Sequence, residues 1–204
     1  DPLWSRGLGD VYKRQVFIVV PRFNIATLIT MIETIRIANY LAPTSIFSWE
    51  VASFDGSKII ASNGMTATIK TANDNLEPAE FVFILGSWGT EHYHNQRLTA
   101  WLRKRARAGE RSCGVELVSY IVARAGLLDG KLATIHWSWL NGFKENFDRV
   151  EVEESLFTLD SKVMTCSGGL AGVDLMLRLI EELNGSSFSG EIADQMLHHP
   201  IRSA

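Results

Sequence analysis

The sequence predicts an α/β sandwich of three layers built on a mostly parallel central sheet. Short apolar runs suited to buried strands alternate with stretches of ten or more residues at helical spacing, the pattern of helices crossing between parallel strands. The segment 111–137, RSCGVELVSYIVARAGLLDGKLATIHW, adds a second observation. It reads as strand, sharp turn, helix and second strand, with an acid, Glu116, at the turn.

Taken in order, residues 1–15 (DPLWSRGLGDVYKRQ) have no clean apolar period, and DVYKRQ resembles translated adapter or vector sequence. They are expected to form a leader outside the fold, with the domain proper over 16–190. An apolar run starts abruptly at Val16 and predicts a strand over 16–20. A helix over 25–40, a strand over 48–54 and a hairpin-like pair around 59–69 follow. Next come a strand over 81–85, a helix over 96–108, the strand 112–115 with its helix, a strand over 133–137 and a helix over 140–147. A strand pair at 150–157 and 163–166 precedes a strongly amphipathic helix over 170–183. Asn184 to Gly190 reads as a Gly/Ser-rich turn, after which 191–204 is expected to start a further helix.

The bulk numbers exclude several classes. With 204 residues and 46% apolar content the chain can bury a sizeable core. A net charge of -3, with both signs mixed along the chain, gives no global reason to bind nucleic acid or an anionic membrane. Cys113 and Cys166 sit in apolar strand-like contexts, which argues for a reducing compartment, the cytoplasm, and against a disulfide framework. His92, His94 and the pair His198-His199 lack partners at metal spacing, so no metal and no cofactor is expected. The basic run 103–111 reads as a solvated helix face.

Several ordered motifs carry a family resemblance. MIETIRIAN (31–39), SFDGSKIIASNGM (53–65), FVFILGSWG (81–89), ARAGLLDGKLATIHW (123–137), TCSGGLAGVDLMLRLI (165–180) and IADQMLHHPIR (192–202) resemble the ThiJ/PfpI superfamily. They are most similar to the sensor domain of GlxA-like AraC-family transcriptional regulators. The resemblance covers residues 16–202. It implies a flavodoxin-like, class I glutamine amidotransferase-like fold, a small-molecule effector, a homodimer, and DNA contact only through a C-terminal helix-turn-helix domain that this sequence does not include. In that reading 191–204 begins the connection to the DNA-binding domain.

The resemblance also assigns candidate ligand-binding residues. Hydrolytic members carry a cysteine at the elbow after the central strand, and the AGLLDG register puts Glu116 there, with Leu117 and Val118 where such regulators typically have Thr and Gly. A carboxylate is a far weaker acyl-transfer nucleophile than a thiolate, so no catalytic residue is assigned and the domain is expected not to be an enzyme. Glu33 matches a position whose carboxylate points at the elbow, although a surface pair with Arg36 is equally compatible with its spacing. His136 falls at a strand end near the elbow, where it could also be structural. Trp137, Trp139 and Trp88 could line the same crevice, or simply pack in the core. Aromatic faces beside a carboxylate suit an organic cation, and the resemblance implies a nitrogenous metabolite such as a betaine or arginine. The alternatives are a stand-alone hydrolase, amidase or hydratase, and a purely structural dimerisation module in which Leu117 and Val118 seal Glu116 off.

Overall fold

The computed structural model describes residues 13–72, 75–160, 162–199 and 201–203. Its elements run β1 (Lys13–Val19), α1 (Ile25–Leu41), β2 (Phe47–Ser53), β3 (Lys58–Ile60), β4 (Thr66–Thr68), β5 (Lys70–Thr71) and β6 (Phe81–Leu85). These are followed by α2 (Gln96–Arg107), β7 (Arg111–Val115), α3 (Ser119–Arg124), β8 (Leu132–Ala133), α4 (Leu140–Asn146) and β9 (Glu151–Val152). The chain continues through β10 (Phe157–Thr158), β11 (Val163–Cys166), α5 (Ala171–Asn184) and α6 (Ser186–Gln195).

The main sheet has the order β10-β11-β7-β6-β1-β2-β5, parallel throughout except for β10 against β11. The five main strands, β2-β1-β6-β7-β11, give the 2-1-3-4-5 order of flavodoxin-like folds. Alternation along each strand builds the two outer layers. Phe17, Val19, Phe81, Phe83 and Leu85 face α1, α5 and α6, whereas Val16, Ile18, Val20, Val82 and Ile84 face α2, α3 and α4. Both faces are apolar because both are covered by helices. The strand order reverses between β1 and β6, and the carboxyl ends of those strands with β7 and β11 form the edge where ligands bind in such sheets.

The structure departs from the sequence expectations at several boundaries. The first strand begins at Lys13, not Val16, so Lys13, Arg14 and Gln15 belong to β1. They pair with Phe47, Ser48 and Trp49 of β2. Arg14 also ion-pairs with Glu50, which fixes a polar residue in a strand that hydropathy alone could not extend. The rest of the expected leader, residues 1–12, lies outside the described residues. The strand expected over 133–137 is only Leu132–Ala133, because His136 and Ser138 bond locally and turn the chain. The expected turn at 184–190 contracts to Gly185, whose φ of 91° ends α5 and lets α6 start at once. The helix expected to start at 191 therefore runs over Ser186–Gln195, and after it His198 and Arg202 lie back on α5 rather than continuing the helix. In α2, Arg105 is buried, stacked 4.7 Å over Trp101 and paired with Glu110 at 3.0 Å, so the basic run is not wholly a solvated face.

Candidate functional site

β7 ends at Val115 and the chain turns sharply into a 3-10 turn over Glu116–Val118. Glu116 sits at the bend with φ 59°, a left-handed conformation that costs a non-glycine residue about 1–2 kcal/mol. Its surroundings hold it there. Leu117 and Val118 drive into the core between the sheet and α3, and Gly114 leaves room for Val122 and the Ser119 amide. Gly86 leaves room for Val118 and Thr90, which lets the Ser87–Trp88 loop lie against the bend.

The Glu116 side chain is 94% removed from solvent, at 6% relative exposure, and one of its oxygens is crowded with donors. Oε1 accepts from Asn24 Nδ2 at 2.7 Å, Thr27 Oγ1 at 3.1 Å and the Gly169 amide at 3.4 Å. Asn24 is itself fixed as the N-cap of α1, its Oδ1 accepting from the Ala26 and Thr27 amides. The carboxylate is thus received at the start of α5, through Gly169, and not by the amides of the helix that follows it in sequence. Gly168, with φ 91°, passes so close that a Cβ there would meet Glu116 Cγ at 1.8 Å. Oε2 makes no hydrogen bond among the described residues, and Glu116 lines a cavity.

That cavity encloses about 410 Å³. Arg22 and Asn24 line it from the β1–α1 loop, Ser62 and Asn63 from the β3–β4 hairpin, and Ser87 and Trp88 from the loop after β6. Glu116, His136, Trp137, Ser167, Gly168 and Gly169 complete it. Trp88 and Trp137, which line it, are 62% and 69% exposed. His136 engages Ser138 Oγ through Nδ1 at 2.8 Å, which orients its ring beside Trp137, centroid to centroid 5.6 Å. Arg22 has φ 65°, and its guanidinium has no ion pair among the described residues. Two strained non-glycine residues of opposite charge therefore line one cavity, an arrangement typical of functional sites.

The structure brings together four of the six sequence candidates and separates two. Glu116, His136, Trp88 and Trp137 share the cavity. Glu33 does not face Glu116: it lies on the outer side of α1, where both carboxylate oxygens accept from Arg36 Nε at 2.8–2.9 Å. Thr27, six residues earlier and on the inner side of α1, occupies the place expected of Glu33. Leu117 is 1% exposed and packs in the core, so it lines no ligand site. Trp139 also turns inward, edge-on against Tyr120. Sequence reasoning missed Arg22, Asn24 and Thr27. Asn24 had a legible signal as an Asn before a helical run, but nothing in a single sequence marks the side chain as reaching across to Glu116.

Chemically, the elbow has a carboxylate where a nucleophile would need to be. Burial pushes the Cys113 thiol far up and the Cys166 thiol to about 12, so both stay neutral inside β7 and β11, away from the cavity surface. Among the described residues, no three His, Cys, Asp or Glu side chains gather as a metal site. No helix among them is long and apolar enough to cross a membrane.

No protein-family model matches the sequence. Curated relatives do match. The HTH-type transcriptional regulators CdhR and GbdR of Pseudomonas aeruginosa are 32% and 33% identical over 186 and 187 residues, 91% and 92% of this chain. GlxA of Rhizobium meliloti is 29% identical over 186 residues. The chain spans about half the length of these regulators, 51–57%. Among solved structures, an AraC family transcriptional regulator from Pseudomonas putida superposes with a TM-score of 0.82 at 21% identity, covering 91% of this chain and 99% of that one. A ThiJ/PfpI family protein from Pseudomonas syringae superposes at 0.78 and 18% identity, covering 98% and 81%. The chain is a ThiJ/PfpI-fold domain, homologous to the corresponding stretch of the GlxA-, CdhR- and GbdR-type transcriptional regulators.

Proposed function

We propose that the domain is the effector-sensing part of an AraC-family, GlxA-like transcriptional regulator, and that it binds a small cationic nitrogenous metabolite without transforming it. The observation that carries the reading is the split use of the Glu116 carboxylate. Three donors take Oε1 and none among the described residues takes Oε2, in a residue that lines a cavity edged by two exposed tryptophans. An ammonium seated there gains one charge and two ring faces, each cation–π contact being worth about 0.5–2 kcal/mol. Arg22 on the same wall suits a carboxylate carried by the same molecule, as a betaine or arginine has. Lack of a thiolate or an activated hydroxyl at the elbow supports the non-catalytic part. The relatives' names support DNA contact by a region beyond this stretch; the proposal adds a cytoplasmic, self-associating regulator in which the effector biases the arrangement of two subunits.

Calorimetric titration with glycine betaine, carnitine, choline and arginine tests the reading. Heat is expected with at least one, with affinity reduced at least about tenfold in Glu116→Gln, the loss of one charge-assisted contact. No heat with any of the four would overturn the cation reading. Turnover of amide or ester substrates by the unmodified domain, abolished in Glu116→Gln, would overturn the sensory one. Sedimentation of the domain with and without ligand checks self-association.

A further inference from the structure

The residues that follow α6 return to α5 and end on a buried charge. The chain leaves the helix through Leu197 at φ 53°, with the Leu197 amide on Asp194 O and the His198 amide on Ala193 O. It then runs back to Asp174 in the first turn of α5, whose side chain is 0% exposed. Asp174 Oδ1 accepts from His198 Nε2 at 2.9 Å and from the Arg202 amide at 2.9 Å. Oδ2 accepts from Arg202 Nε at 3.0 Å and Nη2 at 2.6 Å. All four donors come from two residues, His198 and Arg202. The segment's other anchors are slight: His199 Nε2 pairs with Asp194 Oδ1 of α6 at 2.5 Å with both side chains exposed, Ile201 is 38% exposed, and a hollow of about 580 Å³ lies between Ile201, Arg202 and Ser203 and the helices α5 and α6. If it lifted away, the carboxylate would be left buried and unpaired, so the docked position is held by charge rather than by packing.

The loop that leads into this turn of α5 is the floor of the Glu116 cavity. Gly168 packs on the Glu116 side chain and the Gly169 amide bonds its Oε1. Gly172 sits against Met31 and against Thr27, itself a donor to Glu116, with Cβ-position distances of 3.0–3.3 Å that leave no slack. Residues 168–174, the loop 168–170 followed by the first turn of α5, thus carry Glu116 at one end and the returning segment at the other.

We infer that the Glu116 cavity and the docking of His198 and Arg202 are energetically coupled through the first turn of α5, with Asp174 as the residue that reads the position of that turn. A ligand that pulls on Glu116 shifts Gly169 and with it Asp174, and the bond set at Asp174 tolerates little displacement before its donors are lost. By reciprocity, releasing His198 and Arg202 alters the cavity to the same extent. The inference builds on the cavity being the effector site, but its test uses no ligand, so the two can fail separately.

The test is residue-resolved amide hydrogen exchange on Glu116→Gln and Asp174→Asn, read at Gly169 for the cavity, at Arg202 for the returning segment and at Leu177 and Leu179 as controls inside α5. Coupling predicts that Glu116→Gln speeds exchange at Arg202, and Asp174→Asn at Gly169, each about fivefold or more, with the controls unchanged. Effects confined to the mutated end in both variants overturn the inference. Should Asp174→Asn accelerate the controls as well, Arg202→Gln replaces it under the same criterion, since it leaves the carboxylate its His198 and backbone donors.

Discussion

Gly168 and Glu116 share one small volume: a Cβ at position 168 would stand 1.8 Å from Glu116 Cγ and 2.8 Å from its Cδ. A left-handed φ of 91° adds to the demand for glycine. Gly168→Ala is therefore expected to cost roughly 2–4 kcal/mol, overpacking and backbone strain together. In the double variant with Glu116→Ala, the clashes with Cγ and Cδ go, leaving the strain and the tight 3.0 Å approach to the Cβ at 116. Urea unfolding of the four proteins should give a cost for the pair well below the sum of the two single costs. Simple additivity would mean that the contact is not the cause.

The two exposed tryptophans separate binding from stability. Trp88 and Trp137 bury little against the protein, so Trp88→Ala and Trp137→Ala should change the unfolding free energy by no more than about 0.5 kcal/mol. If each ring faces the bound cation, each substitution weakens binding about 2- to 30-fold. Thermal melts and calorimetry on the same preparations check both halves. Trp139→Ala, which removes the ring packed on Tyr120, should show the reverse pattern.

Two ion pairs that look alike in sequence should behave differently. Arg36 and Glu33 lie one turn apart on the surface of α1, and Glu33→Gln is expected to leave both stability and ligand affinity unchanged. Arg105 and Glu110 are both buried, and Arg105 also stacks on Trp101 and donates to Glu77 O. Removing one partner strands the other, so Glu110→Ala should destabilise by about 3–5 kcal/mol. A change in ligand binding by Glu33→Gln at constant stability would restore Glu33 to the site.

What could be read from the sequence follows from what physical period it imposed. β6 and the body of α1 were legible because alternation and helical spacing are local properties, and the elbow was legible because several motifs fixed its register. Glu33 was misplaced because a register gives a position along α1 but not which face that position takes; Thr27, two turns nearer the N-terminus, is the residue that reaches Glu116. Arg14 and Gln15 escaped notice since polar residues enter a strand only by long-range pairing, here with Glu50 and β2. Arg22 carried no signal at all, because its left-handed turn exists only once β1 and the β3–β4 hairpin are in place, its amide bonding Ile60 O.

Asp174 sets an acid limit on the returning segment. Burial alone would raise its carboxyl, but the Arg202 amide, His198 and the Arg202 guanidinium together hold it below the ordinary carboxylate value. A carboxylate depressed in the folded state contributes stability that is present above the unfolded value, near 4, and is lost as pH falls through the lower folded one. The stability advantage of the unmodified domain over Asp174→Asn should therefore shrink as pH drops from about 5 towards about 2, measured by urea unfolding at each pH. His198 is the other titratable group bonded to Asp174, so His198→Asn, which keeps a donor without titrating, separates their contributions. Acid loss that persists in His198→Asn and disappears in Asp174→Asn assigns the effect to the carboxylate, whereas the opposite pattern would assign it to the imidazole.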